Sequence, residues 1–234
     1  INKGYETYVI CRKLPRQKEI IKGVKYIQLD ISNKNDLKKI SKISFNYIVN
    51  LSGNIDHSSF FEAGKDLINL HFYSLVNFIS TIRKDNLIRF VQIGSSDEYG
   101  DNIAPQHESQ VEKPFTPYSF AKTTSTNFIK YLFKTENFPG TILRPFLIYG
   151  PGQKKDRLIP YAISKSLKNE IFEVSSGKQI RDFLHIDDAV DAIFLSLKED
   201  AVNGKIINLG SGHPRSVKSV IQLIVQEIGF GSPL

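Results

Sequence analysis

Short apolar runs alternate along this chain with longer stretches in which apolar residues recur every three or four positions. "ETYVIC" (6–11), "KYIQLD" (25–30), "YIVNLSG" (47–53), "RFVQIGSS" (89–96) and "GTILRPFLIYG" (140–150) are rich in β-branched and aromatic residues and bounded by turn formers. They read as buried strands. "NDLKKISKI", "EAGKDLINLHFYSLVNFISTIRK", "SFAKTTSTNFIKYLFKTE" and "DDAVDAIFLSLKED" carry the helical spacing instead. Strand and helix in alternation predict an α/β protein, a doubly wound parallel sheet covered on both faces. After about residue 150 the pattern loosens into longer loops with clustered Gly, Lys and Arg. Residues 1–150 are therefore expected to form the main domain. Residues 151–234 form a smaller, partial substrate-facing region with segments that return to it. Parallel sheets bind ligands at the carboxyl ends of their strands. That rule selects "CRKLPR", "SGNIDHSS" and "GSSDEYG".

Composition narrows the partners. With 234 residues, 41% of them hydrophobic, the chain can bury the core of one domain, with or without a small appendage. Its 31 basic and 24 acidic groups give +7, which suits an anionic small molecule. The lysines are scattered, as in "NKNDLKKISK", and read as a solvated helix face, so no nucleic-acid partner is expected. Cys11 is the single cysteine, which excludes a disulfide framework. No apolar run approaches the ~20 residues of a membrane span, and the first residues lack a signal-peptide design. The expected home is the cytoplasm, with no membrane contact. The five histidines show no metal-ligand spacing, so no metal is expected.

The stretch "FTPYSFAK" sets Tyr118 four residues before Lys122, on one helix face. An ammonium beside a phenol favours the phenolate, and a tyrosine so tuned can exchange a proton near neutral pH. The same spacing also fits an idle surface pair. "GSSDEYG" adds a hydroxyl at a strand end, where Ser95 or Ser96 could bond the oxygen that Tyr118 protonates.

Taken in order, these motifs resemble the extended short-chain dehydrogenase/reductases, specifically the NAD(P)-dependent epimerase/dehydratase group that acts on nucleotide sugars. The resemblance covers nearly the whole chain and implies a Rossmann-like sheet, with 1–150 as the dinucleotide-binding domain. Counting back four from Tyr99 selects Ser95 as the catalytic hydroxyl, with Ser96 as the fallback and Asp97 at an acidic position that dehydratases and decarboxylases use. Tyr118 and Lys122 become the acid/base couple and also line the cofactor. Leu51, Ser52 and Gly53 would border the dinucleotide, Asp30 and Ile31 would meet adenine, and Asn69 and Pro145 would complete the cofactor wall. "GKQIRDFLHIDDAVDAI" places Arg181 as a clamp on the substrate diphosphate, assisted by Arg157. Glu98 replaces an aliphatic residue of the family pattern, and Leu147 stands where the family often has Asn.

The family opens with a strand and a glycine-rich turn for the pyrophosphate. This chain opens with "INKGYETYVICRK", which reads as the end of the first helix followed by the second strand, and it contains no methionine. The expectation is an internal fragment whose sheet lacks its central first strand, leaving backbone groups unpaired on both neighbours. "VIQLIVQEIGFGSPL" likewise stops early for the family. Arg12 and Lys13 stand where NAD enzymes carry an acid, so NADP is preferred over NAD as cofactor. The implied reaction is hydride transfer at the sugar C4 of a nucleotide-diphosphate sugar. The outcome is epimerisation, dehydration or, by a slight lean, reduction of a 4-keto-6-deoxy sugar. A homodimer is implied for the full-length enzyme. The alternatives are a non-catalytic relative that binds RNA or a protein, and an inactive remnant.

Overall fold

The computed structural model describes residues 4–229. Ile1–Lys3, expected to close a preceding helix, and the last five residues lie outside the described residues. The first three predicted strands appear as β1 (Thr7–Cys11), β2 (Val24–Gln28) and β3 (Tyr47–Asn50). Between β2 and β3 a single turn, α1 (Lys34–Leu37), is capped by the Asn33 side chain, and its buried Leu37 points to the core. The rest of "NDLKKISKI" continues as turns.

The next helical run is not a uniform α-helix. It opens as a π-helical turn at Phe60–Gly64, becomes α2 (Lys65–Ile68), widens again at Asn69–Tyr73 and ends as α3 (Ser74–Thr81). Such widened turns gather at functional sites. β4 (Arg89–Ile93) follows, then the long α4 (Pro117–Glu136). α4 starts sharply because the Thr116 hydroxyl accepts from the Ser119 amide and proline occupies the first turn. Asn137 closes it in the left-handed region.

The expected strand over 140–150 divides. β5 (Gly140–Pro145) stays in the main sheet, whereas β6 (Leu147–Tyr149) pairs with β8 (Phe183–His185). The switch happens next to Pro145, which has no N–H for the ladder. There the Phe146 amide donates to Leu209 and the Leu147 amide already donates to Asp182. The chain then forms α5 (Leu158–Leu167), β7 (Ile180–Arg181), α6 (Ile186–Lys198), β9 (Ile206–Leu209), β10 (Arg215–Ser216) and α7 (Val217–Ile228).

β3, β4, β5 and β9 form a four-stranded parallel sheet in the order β3-β4-β5-β9. β1 and β2 form a separate parallel pair. Among the described residues no strand is hydrogen-bonded to the second edge of β1 or of β3. The two sheets nevertheless stand side by side: Tyr5 meets Tyr47 edge to face at 5.7 Å, and Tyr8 meets Phe45 at 5.6 Å.

Strand alternation sorts the two cores. Phe90 and Ile142 face one way and pack with Leu37, Leu75, Phe78, Ile79 and Ile129, from α1, α3 and α4. Val91 and Leu143 face the other way and pack with Leu197 of α6. The sheet is thus covered on both faces, as expected for a doubly wound fold. A third core of Ala162, Phe172, Val217 and Ile221 ties α5 to α7.

Candidate active site

Every strand of the two parallel sheets runs the same way within its sheet, so the segments after the carboxyl ends of each sheet share one edge of that sheet. Ser95 follows β4 as the N-cap of a short 3-10 turn (Ser96–Tyr99), and its hydroxyl accepts from the Asp97 amide. Tyr118 lies in the first turn of α4, 4% exposed, with its ring edge-on to His57 at 5.7 Å and to His71 at 5.2 Å. The Ser95 side chain lies near enough to the Tyr118 phenol to favour its ionised form. Lys122, one helical turn on, is 6% exposed and sits 5.9 Å from the centre of the Tyr118 ring. Its ammonium donates to the Ile93 carbonyl at 2.8 Å, at the end of β4.

The electrostatics differ from the simple picture of an ammonium lowering a phenol. Burial pushes Tyr118 up to about 12, and the nearby Ser95 side chain pulls back only part of the way. Burial also lowers Lys122, to about 8, against the Glu98 carboxylate, which favours its charged form. The desolvation of both groups outweighs their mutual effect. At neutral pH the phenol therefore keeps its proton while the amine stays largely charged. This pair is set to give a proton rather than to take one.

The remaining candidates distribute around this centre. The charges of Asp97 and Arg157 both reach the Tyr118 phenol, Asp97 raising its pKa and Arg157 lowering it. Arg157 is the N-cap of α5, Ser96 opens the 3-10 turn, and Pro145 ends β5. After β3, Leu51 is 70% exposed, and Asn50 accepts both the amide and the hydroxyl of Ser52. Gly53 adopts φ +140, and a Cβ there would overlap the His71 imidazole. Only glycine allows so close an approach in that conformation. After β2, Asp30 accepts the Ser32 amide and hydroxyl, and Ile31 packs against the main core. After β1, Arg12 and Lys13 line a cavity of about 470 Å³.

Two further candidates are exposed. Asn69 is exposed on its π-helical turn, where its carbonyl accepts from the Ser74 hydroxyl. Arg181 is exposed on the β7–β10 ribbon and donates to the Ile180 carbonyl.

The residues present suit a dinucleotide. The segment after β3 offers exposed apolar surface at Leu51 and close backbone at Gly53, and the segment after β1 offers two cations, Arg12 and Lys13. Among the described residues no group of three or more His, Cys, Asp or Glu could hold a metal ion. None of their helices is long and apolar enough to cross a membrane.

Sequence reasoning passed over His71, which lies beneath the Tyr118 ring and whose Nε2 bonds the Asn54 carbonyl at 2.9 Å. No spacing signalled it, because Asn54 and Tyr118 come from separate elements. Burial, reinforced by the Lys122 charge, lowers His71 to about 4. The unfolded chain takes up this proton near pH 6.5 and the folded chain only near 4, so acid favours unfolding across that window. The site should lose about 3 kcal/mol of folding stability between pH 7 and pH 4 from this group alone. Urea midpoints at the two pH values, compared between wild type and His71→Phe, check this; the acid loss should shrink in the variant.

The sequence pattern that defines the NAD dependent epimerase/dehydratase family matches residues 1–210. A dTDP-D-glucose 4,6-dehydratase of Homo sapiens is 26% identical over 207 residues, which is 86% of this chain and 59% of that protein. The chain thus spans about three fifths of the length of this curated relative. The structure of a UDP-glucuronic acid 4-epimerase from Bacillus cereus, with UDP-glucuronic acid and NAD, superposes with TM-score 0.86 at 22% identity, covering 100% of this chain and 79% of that one. The Pseudomonas aeruginosa protein RMD, complexed with NADPH, gives TM-score 0.79 at 21% identity over 93% of this chain and 80% of its own. Fold, site and sequence pattern agree, and the chain belongs to the NAD-dependent epimerase/dehydratase family.

Proposed function

We propose that the protein carrying this chain is a nicotinamide-dependent enzyme acting at the C4 position of a nucleotide-diphosphate sugar. The observation that carries this reading is the buried Tyr118–Lys122 pair on α4, whose lysine bonds the Ile93 carbonyl at the end of β4, two residues before Ser95. In the proposed division of labour, Ser95 orients the sugar oxygen and Tyr118 gives it a proton. Lys122 holds the local charge positive. When bound, the nicotinamide exchanges a hydride with the sugar carbon. Leu51, Ser52 and Gly53 would border it, with Asn69 and Pro145 beside them, Asp30 and Ile31 near the adenine, and Arg12 and Lys13 at the ribose. Arg157, whose charge reaches Tyr118, would hold the substrate diphosphate together with Arg181. Residues 1–150 would form the dinucleotide-binding domain and 151–234 the substrate region, and the whole enzyme would be a homodimer.

A phenol that keeps its proton at pH 7 suits reduction of a 4-keto sugar, since that reaction consumes a proton at the new hydroxyl. NADP is favoured over NAD because two cations border the cavity after β1, matching a ribose 2′-phosphate. The test is incubation of wild-type protein with each dinucleotide and a panel of nucleotide-diphosphate sugars and their 4-keto derivatives, with products resolved by NMR. Conversion at C4 is expected, and failure of every sugar together with failure to bind either dinucleotide would discard the reading. Replacing Arg12 and Lys13 by serine should reduce the NADP-over-NAD preference by about 10- to 100-fold, equivalent to losing one or two charge-assisted hydrogen bonds. An unchanged preference would remove those two residues from the cofactor site.

A further inference from the structure

Glu98 has no role in the proton transfer described above, yet it lies at the centre of the site's charges. The residue is fully buried. Its Oε1 accepts the Ser95 amide at 2.8 Å, which fixes the backbone that carries the Ser95 hydroxyl. Its Oε2 accepts Nε of Arg144 at 3.0 Å, and Nη2 of Arg144 approaches at 2.7 Å. The carboxylate also lies against the backbone of Gly94, where a Cβ would overlap Oε1.

The groups around it form a closed set. Arg144, fully buried on β5, reaches Glu98 and also Glu112, at 2.5 Å, while its guanidinium lies 4.7 Å from the centre of the Tyr99 ring. Asp97 and Tyr99 come from the same turn as Glu98, and Lys122 of α4 reaches the Ile93 carbonyl, next to Gly94, against which Glu98 Oε1 lies. Two carboxylates against one guanidinium leave a surplus negative charge. Lys122 is buried, and its ammonium is bonded to the Ile93 carbonyl. A cation out of water needs a counter-charge close by. The surplus charge of this triad supplies it.

We infer that Glu98 is the positioning residue of this site: it holds the Ser95 backbone through Oε1 and serves as the counter-charge of the Lys122 ammonium. This rests on the reading of Ser95, Tyr118 and Lys122 as the reacting group. It extends that reading by giving a purpose to a carboxylate that stands where the family pattern has an aliphatic residue.

The test separates the two tasks. Glu98→Gln keeps an acceptor for the Ser95 amide and drops the charge, whereas Glu98→Ala drops both. With side-chain-labelled lysine, the NMR titration midpoint of Lys122 should move down by about 1 pH unit in both variants. Exchange of the Ser95 amide hydrogen should quicken about 10-fold or more in Glu98→Ala only. A Lys122 midpoint equal to wild type in both variants, or equal exchange at Ser95 in both, overturns the inference. Should neither variant fold, glutamate labelled at Cδ in wild type supplies the readout. The Glu98 signal should step as Lys122 titrates, and Lys122→Met should abolish that step; a Glu98 signal flat through that range overturns the inference. These readouts need no turnover, so their failure is distinct from failure of the proposed function, which would show as wild-type protein converting no sugar.

Discussion

Replacing Tyr118 by phenylalanine is expected to lower kcat by about 10²- to 10⁴-fold, the usual contribution of a positioned proton donor. The fold should tolerate the change. The ring keeps its edge-on contacts with His57 and His71, and only the phenolic oxygen is removed. Loss of one neutral hydroxyl costs roughly 1 kcal/mol, so thermal unfolding should move by a few degrees at most. Dinucleotide affinity, measured by fluorescence titration, should stay within a few-fold of wild type. Ser95→Ala should cost more activity than Ser96→Ala, because Ser95 is the hydroxyl that favours ionisation of the phenol. Retention of more than a tenth of wild-type turnover by Tyr118→Phe would remove the phenol from the chemistry.

The elements that position this phenol were largely readable in advance, and the reason is local. A strand buried on both faces needs a run of apolar residues, and β4 and β5 announce themselves in "RFVQI" and "GTILRP". The body of α4 was legible in "SFAKTTSTNFIKYLFKTE", and the Tyr118–Lys122 spacing through the helical period. What escaped depends on partners distant in the chain. The split of 140–150 at Pro145 required knowing that Asp182 would receive the Leu147 amide. The π-helical turn at Asn69–Tyr73 left no signature in the apolar pattern, whereas the break between β1 and β3 matches the expected missing central strand. The direction of the Tyr118 shift was misjudged for a similar reason: spacing reveals the nearby ammonium, but burial, which dominates, is a property of the folded interior. Arg144 did leave a trace, as a charged residue in the middle of a strand otherwise reading as core. Its meaning emerged only with Glu98 and Glu112 in place.

That same arginine gives the largest expected effect on stability. Arg144→Met should destabilise the fold by about 3–5 kcal/mol, since it removes one partner of a buried ionic group and leaves the other charged in a dry interior. For a chain of this size the melting temperature should fall by roughly 10 °C. The cause is the stranded Glu98 carboxylate rather than the lost arginine contacts, and this has a consequence that separates the two. Neutralising the carboxylate in the same chain, as Arg144→Met with Glu98→Gln, should recover most of the loss, because methionine fills much of the volume and glutamine still accepts the Ser95 amide. Glu112 cannot substitute for Glu98 in this argument. Its side chain is 14% exposed, so water shares its charge once the guanidinium is gone. A double variant no more stable than Arg144→Met alone would show that packing over the Tyr99 ring, 4.7 Å away, is what Arg144 contributes. A single variant within 1 kcal/mol of wild type would show that Glu98 takes up a proton when its partner leaves, at little cost to the fold.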